Sequence, residues 1–123
     1  MTEQAEAVTN YALQANGSEH IWEHPMMPLK YTDGMKFVAS KCEAYWLLDV
    51  VGSHQPKLRD EYFQVWRLSK PASEGEPWLL CCYDDSPGRL LVRQEIEYSD
   101  FPEDLTPFEF WVEYGTAMLK QER

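Results

Sequence analysis

The sequence predicts an α+β domain in which one main helix packs on a four- to five-stranded antiparallel meander sheet. Two patterns predict this fold. Apolar residues recur at intervals of three and four in residues 35–51, which is helical spacing. From residue 62 onward the period changes to two, in short segments joined by short links, and such links favour antiparallel neighbours. A chain of 123 residues has room for one domain of this kind with a single core.

The main helix is expected to begin after Thr32 or Asp33, because either side chain can accept a hydrogen bond from the first helical turn. Gly52 is expected to end the helix, and Pro56 is expected to prevent it from resuming. One face of this helix should be buried against the sheet. The predicted buried stripe consists of Met35, Val38, Cys42, Tyr45 and Leu48.

Several later segments have the composition of strands and are bounded by loops rich in charged residues, Pro and Gly. Residues 78–83 form a continuous apolar run suited to a central strand. In residues 90–98 apolar side chains alternate with charged ones, which predicts one buried face, including Tyr98, and one solvated face. The other predicted strands span residues 62–68, 108–113 and 116–119.

The chain before the main helix is expected to contribute little regular structure. Residues 1–18 predict an N-terminal segment, a frayed helix that ends near Asn16-Gly17, because no strong apolar periodicity occurs there. Residues 19–123 are then the single α+β domain. Its first part, residues 18–31, contains two Pro and two Met around Trp22 and predicts a packed irregular segment.

The charge balance is strongly acidic. Eleven Lys and Arg oppose 21 Asp and Glu, which gives a formal net charge of −10. Direct binding to nucleic acid is not expected, because phosphate contacts need clustered Lys and Arg. An acidic field favours association with basic proteins or cations. The alternative is that the charge only keeps a small protein soluble.

The first residues lack the basic and apolar stretches of a secretory signal, and the longest apolar runs are far shorter than the roughly 20 residues of a membrane span. Three Cys, an odd number, predict reduced thiols. We therefore expect a cytoplasmic protein that does not associate with membranes.

Residues 94–109 contain six carboxylates and no basic residue, with aromatic and aliphatic side chains between them. Carboxylates at this density beside apolar anchors suit docking on a protein with a basic surface. The same pattern is typical of a solvated strand and loop in any acidic protein. The candidate partner-binding residues are Glu95, Glu97, Asp100, Glu103, Asp104 and Glu109.

Asp49 lies at the boundary of the apolar helix stripe, where a partly buried carboxylate needs a partner. His54 or Gln55, just past the expected helix end, could supply one. An Asp–His pair in a cleft could act as a general base, although a structural hydrogen bond at the helix end is the favoured interpretation. Gln64 and Gln94 each lie mid-strand among apolar residues, which predicts an amide contact across strands or a polar floor beneath a pocket.

No catalytic residue, metal site or cofactor is predicted. His20 and His24 have the four-residue spacing of a helical metal pair, but Pro25 disfavours helical geometry at His24. Cys81 and Cys82 are adjacent, so in a strand their side chains point to opposite faces and cannot jointly bind a metal. The sequence also lacks a phosphate-binding Gly loop and a recognisable nucleophile motif.

Four motifs spread along the chain are distinctive. They are Tyr31-Thr32-Asp33-Gly34, Ala44-Tyr45-Trp46-Leu47-Leu48-Asp49, Phe63-Gln64-Val65-Trp66, and Gln94 followed by Ile96-Glu97-Tyr98-Ser99-Asp100-Phe101-Pro102. In this order, over roughly residues 20–120, the chain resembles an uncharacterised family of small domains found in bacterial, plasmid and phage sequences. The resemblance implies a single α+β domain and no known activity. Carriage on mobile elements would favour an accessory role such as inhibition of a host defence.

The favoured function is a non-enzymatic binding module that uses its acidic surface. Its most concrete form is a nucleic-acid mimic, similar in action to an anti-CRISPR protein, that inhibits a nucleic-acid-handling or defence complex. One alternative is a small cytosolic enzyme or ligand binder around Asp49, His54 and Gln64. Another is a structural subunit that pairs through a sheet edge.

Overall fold

A computed structural model describes residues 1–85 and 87–123, and within them helices and a mixed sheet form an α+β fold. This confirms the fold class. The helices are α1 (Glu3–Gln14), α2 (Asp33–Lys41) and α3 (Tyr45–His54). The strands are β1 (Ile21–Glu23), β2 (Lys30–Thr32), β3 (Phe63–Ser69), β4 (Trp78–Tyr83), β5 (Leu90–Ile96), β6 (Phe108–Glu113) and β7 (Thr116–Met118). Short 3₁₀ turns cover Gln55–Leu58, Glu103–Leu105 and Lys120–Glu122.

Within the described residues the sheet has seven strands in the order β1-β2-β7-β6-β3-β4-β5, so the prediction of a four- to five-stranded antiparallel meander is wrong. Strands β3, β4 and β5 follow one another as a meander. The sheet is mixed, because β2 runs parallel to β7. The chain after β5 crosses the end of the sheet and returns as β6 beside β3, where Phe108 lies opposite Leu68. Local strand patterns do not report this crossover.

The predicted single helix over residues 35–51 is also wrong, because α2 ends at Lys41 and α3 begins at Tyr45. Glu43 has a left-handed backbone with φ of 52°. The N–H of Ala44 then donates to the carbonyl of Ala39 at 2.8 Å, which is the six-to-one hydrogen bond of a Schellman helix end. Gly usually occupies the left-handed position. Since Glu occupies it here, the sequence carries no recognisable stop signal.

The break changes the phase of the buried face. Val38, Cys42 and Leu48 are buried as predicted, but Tyr45 is 44% exposed and is not part of the core. Its hydroxyl lies 2.9 Å from the Ser40 hydroxyl at the surface.

Gly52 does not end α3, contrary to the prediction. A Cβ on Gly52 would lie 2.7 Å from the Cβ of Met27, so glycine allows the chain before β2 to pack closely on the helix. Pro56 likewise does not end the helical path, because it lies at the start of the 3₁₀ turn Gln55–Leu58. A missing backbone N–H is tolerated in a first turn.

The start of α2 confirms the predicted capping residue. The Thr32 hydroxyl accepts a hydrogen bond from the Met35 N–H at 3.3 Å. Asp33 instead accepts from the indole N–H of Trp22 at 2.9 Å. Residues 18–31, predicted to be irregular, contain β1 and lead into β2, which pair in antiparallel register.

Helix α1 confirms the helix predicted within residues 1–18, and it is packed rather than frayed. The Thr2 hydroxyl caps it by accepting from the Ala5 N–H at 3.1 Å. Ala5 and Val8 are buried, and the Tyr11 ring stacks on the Phe37 ring of α2 at 4.6 Å. The division of the chain into residues 1–18 and 19–123 stays a prediction.

The hydrophobic core lies between the helices and one face of the sheet. Trp66 and Leu68 point from β3 into this core, whereas Val65 and Cys81 are buried on the opposite face. From the helices, Val38, Leu47, Leu48 and Val51 pack into the same cluster.

Candidate functional site

Five of the six predicted partner-binding carboxylates lie at one end of the sheet. Strand β5 finishes at Ile96, opposite Trp78, and β6 begins at Phe108, opposite Leu68. The chain between these strands therefore runs across the sheet end at which β3 stops and β4 starts. All five side chains are exposed. We call this surface the acidic end, and it comprises Glu95, Glu97, Asp100, Glu103 and Asp104.

The backbone of the acidic end is anchored by apolar packing. Phe101 is 2% exposed, and its ring centroid lies 5.4 Å from that of Phe108. Pro102 is buried beside it. The Ser99 hydroxyl accepts from the Phe101 N–H at 3.0 Å. The carboxylates are thus presented on an ordered segment, which lowers the entropic cost of binding through them.

Asp104 also ties the acidic end to α1. One of its oxygens accepts from the Thr2 N–H at 2.5 Å, and the other accepts from the Thr2 hydroxyl at 3.1 Å. These hydrogen bonds favour the charged form and hold the pKa of Asp104 below its usual value. Asp104 has a structural role in addition to any contact with a partner.

The acidic end contains little internal charge compensation. Glu95 forms one exposed ion pair, with Arg93 at 3.4 Å. The side chains of Glu97, Asp100 and Glu103 form no ion pair or hydrogen bond with any residue that the structure describes.

Glu109 does not belong to this group. It lies on the sheet face opposite the helices, and its side chain is only 17% exposed. Its carboxylate binds Arg67 at 2.7 Å and Lys120 at 3.5 Å. Because both oxygens face a cation of the same chain, little charge is left for a partner.

Apart from the acidic end, an acidic depression of about 530 Å³ opens near the start of β3. Its carboxylates are compensated by cations of the same chain. Arg89 lies 3.1 Å from Glu61 and 3.5 Å from Asp84. Arg123 lies 3.1 Å from Glu113. The acidic end differs from this depression in having most of its carboxylates unpaired.

The structure does not bring Asp49, His54 and Gln64 together. Asp49 contacts His24, with 2.6 Å between the carboxylate and Nε2, rather than His54. The other ring nitrogen of His24 accepts from the N–H groups of Met26 and Met27, each at 3.0 Å. Nε2 therefore carries the proton and donates to Asp49. With both nitrogens engaged, His24 holds the loop before β2 and has no free lone pair for a general base.

His54 at the end of α3 contacts Gln94 of β5, with 2.5 Å between Nε2 and the amide oxygen. Since that oxygen can only accept, Nε2 is the donor. The Nδ1 atom of His54 is buried and has no hydrogen-bond partner among the described residues. The ring packs beside Trp66, with 6.1 Å between centroids.

Gln64 is 1% exposed and belongs to a closed amide pair with Gln55 of the 3₁₀ turn. Each amide nitrogen donates to the oxygen of the other amide at 3.0 Å. The indole N–H of Trp66 also donates to Gln64 at 2.9 Å, and Gln64 donates to the Glu61 carbonyl at 3.1 Å. The predicted amide contact exists, but its partner lies in the helical layer and not on a neighbouring strand.

His24 is the residue that the sequence interpretation missed. The four-residue spacing relates His24 to His20 as a metal pair, but in the structure His20 lies 3.7 Å from Asp33 and His24 contacts Asp49. No group of three metal-binding side chains occurs within residues 1–85 and 87–123. The only sequence signal for the role of His24 is Pro25, which starts a turn whose N–H groups need an acceptor.

The cysteines are buried and unpaired with one another. Burial raises the pKa of Cys42 to about 11 and that of Cys82 to about 12. At neutral pH these groups are thiols, which are poor nucleophiles.

Comparison with known proteins gives a family and no activity. A family model described as a family of unknown function (DUF6876) matches residues 8–123. The chain belongs to this family. No curated protein and no solved structure matches it. Within the described part of this DUF6876 member, the helices are too short or too polar to cross a membrane.

Proposed function

We propose that this DUF6876 protein is a non-enzymatic binding module whose acidic end docks on a basic surface of another protein. The observation that carries the proposal is the set of five exposed carboxylates on one anchored segment, of which Glu97, Asp100 and Glu103 are unpaired in the described structure.

Unpaired exposed carboxylates contribute little to folding, because surface charges are well solvated. Across a basic partner the same carboxylates act together. They raise the association rate and make binding depend on ionic strength. The formal net charge of −10 extends this field beyond the contact itself.

In its most concrete form, the module imitates nucleic acid and inhibits a nucleic-acid-handling or defence complex in the cytoplasm. The net charge supports this form, as does the resemblance to domains carried by bacteria, plasmids and phages. Such an inhibitor competes with nucleic acid for the same basic groove, and its own net charge of −10 disfavours direct binding of nucleic acid. The enzyme alternative has less support, because Asp49 and His54 contact different partners.

The test is a comparison of two triple variants with the wild type. The first combines Glu97→Gln, Asp100→Asn and Glu103→Gln at the acidic end. The second, a control with the same change in net charge, neutralises three exposed carboxylates elsewhere on the surface. These are Glu19, Glu23 and Asp60.

Each protein is immobilised and exposed to nuclease-treated lysate of its native host, and bound proteins are identified by mass spectrometry. We expect a basic protein that is retained by the wild type and the control but lost with the acidic-end variant. Its purified complex should weaken as ionic strength rises to about 0.15 M, where the Debye length is about 8 Å. Duplex DNA should displace the module if it acts as a mimic. Equal retention by both triple variants would refute docking through the acidic end.

A further inference from the structure

Strand β5 forms one edge of the sheet. It spans seven residues and pairs with β4 on one side, and its other side has no strand partner in the described chain. The opposite edge, β1, has only three residues. A long edge strand presents a row of backbone N–H and carbonyl groups that can pair with another chain.

The side chains of β5 are self-complementary about Gln94. Arg93 and Glu95, of opposite charge, flank it on the exposed face of the strand. Val92 and Ile96, both β-branched, flank it one position further out on the half-buried face. In an antiparallel pair of identical strands centred on one residue, positions equally far before and after that residue lie opposite each other.

We propose that a second copy of this chain docks on β5 by antiparallel strand pairing, with Gln94 of one copy opposite Gln94 of the other. Arg93 then lies opposite Glu95 of the second copy, and two-fold symmetry makes this pair twice. Val92 lies opposite Ile96 of the second copy, also twice. Cross-strand pairs of opposite charge and of β-branched side chains stabilise antiparallel sheets.

Leu90 and Tyr98, predicted on the buried face of this strand, are 49% and 81% exposed. Strand β5 ends at Ile96, so Tyr98 lies beyond it. The pairing of β5 with β4 shifts register between Cys82 and Tyr83, so Leu90 does not continue the alternation of Val92, Gln94 and Ile96. The regular pairing about Gln94 therefore involves residues 92–96.

Neighbouring registers are less favourable because they oppose like charges. Centring the pair on Arg93 places two guanidinium groups opposite each other, and centring it on Glu95 does the same for two carboxylates. Like charges directly opposite one another destabilise a strand pair. Of these three centres, Gln94 is the one that opposes no like charges.

The association shares Glu95 with the acidic end, but its test by charge swaps uses the purified chain alone, without a basic partner, so its outcome is separate from that of the proposed docking. Sedimentation velocity over a range of protein concentrations measures self-association of the wild type, Arg93→Glu, Glu95→Arg and the double swap. We expect a concentration-dependent dimer for the wild type. Each single swap opposes like charges twice and should weaken the dimer about tenfold or more.

Two combinations then test the register. The double swap restores opposite charges in every pair and should recover the dimer. An equimolar mixture of the two single variants also pairs Glu with Arg at both positions, so it should form a mixed dimer. Recovery in both cases supports the proposed pairing. A wild type that stays monomeric, single swaps without effect, or no recovery in the mixture would overturn it.

A cysteine pair gives a readout that does not depend on charge. Gln94→Cys places two thiols at the symmetry centre, and oxidised glutathione should then link the two chains. Glu97→Cys is the matched control, because its counterpart lies six residues along the strand, about 20 Å away. Crosslinking of the control as efficiently as Gln94→Cys would overturn the register.

Discussion

Glu122 accepts a 2.6 Å hydrogen bond from the hydroxyl of Thr32, which precedes it by 90 residues. Glu122 is 8% exposed, and its carboxylate also accepts from the N–H groups of Gly34 at 3.0 Å and Leu119 at 2.9 Å. It therefore joins the 3₁₀ turn Lys120–Glu122 to the first turn of α2. A carboxylate at a helix N-terminus is also favoured by the helix dipole.

Glu122→Gln should destabilise the protein by about 1–3 kcal/mol, because an amide group would turn an N–H₂ toward a neighbour that is itself a donor. The free energy of unfolding in urea measures the effect. Gln121→Ala, an exposed neighbour, is the control and should change stability by less than about 0.5 kcal/mol. Equal stability of Glu122→Gln and the wild type would show that the carboxylate is not needed at this junction.

Gly34→Ala should destabilise the protein through the same carboxylate. A Cβ at this position would clash with the Glu122 carboxylate, so the carboxylate must move and lose its hydrogen bonds. We expect a loss of at least about 1 kcal/mol. In a Glu122→Ala background the obstacle is gone, and Gly34→Ala should cost clearly less. Additive effects in this double-mutant cycle would contradict the steric explanation.

The break between α2 and α3 predicts very different costs for two aromatic truncations. Trp66→Ala should cost about 3–5 kcal/mol, because Trp66 is fully buried. Tyr45→Ala should cost about 1 kcal/mol or less, because Tyr45 is 44% exposed and its hydroxyl bond to Ser40 is at the surface. The free energies of unfolding of both variants, measured by denaturant titration, test this difference. A loss for Tyr45→Ala as large as that for Trp66→Ala would argue for one continuous helix with Tyr45 inside.

Asp33 should make stability pH-dependent at low pH. The indole N–H of Trp22 and the backbone N–H groups of His20 and Glu19 hold the pKa of Asp33 below 3.8. The carboxylate of Asp33 therefore binds a proton less readily in the folded state than in the unfolded state. The stabilisation is complete above pH 3.8 and is lost as the pH falls through the lower folded pKa.

Melting temperatures of the wild type and Asp33→Asn, measured from neutral to acid pH, test this prediction. The wild type should be more stable at neutral pH, and the difference should shrink as the pH falls below 3.8. Glu23→Gln, which changes an exposed carboxylate on β1, should show no such convergence. A constant difference at every pH would mean that Asp33 does not titrate in the predicted window.

The sequence by itself determined the features that depend on neighbouring residues. Two-residue alternation located β5 and β6, because a strand places successive side chains on opposite faces. Aromatic and β-branched composition located β3, and a continuous apolar run located β4. The hydroxyl of Thr32 predicted the start of α2, because a capping side chain needs only to accept from an N–H three residues later. The density of carboxylates in residues 94–109 likewise predicted an acidic surface.

Only the tertiary structure decided which of these features meet. Asp49 is five residues from His54 but contacts His24, 25 residues away, because the chain before β2 packs on α3 at Gly52. The side chain of Glu109 is only 17% exposed, because β6 lies beside β3 and Arg67 is its cross-strand neighbour. Such contacts depend on which apolar surfaces fit together after long loops close. Local periodicity carries no information on that choice, because it reports only the face on which a side chain lies.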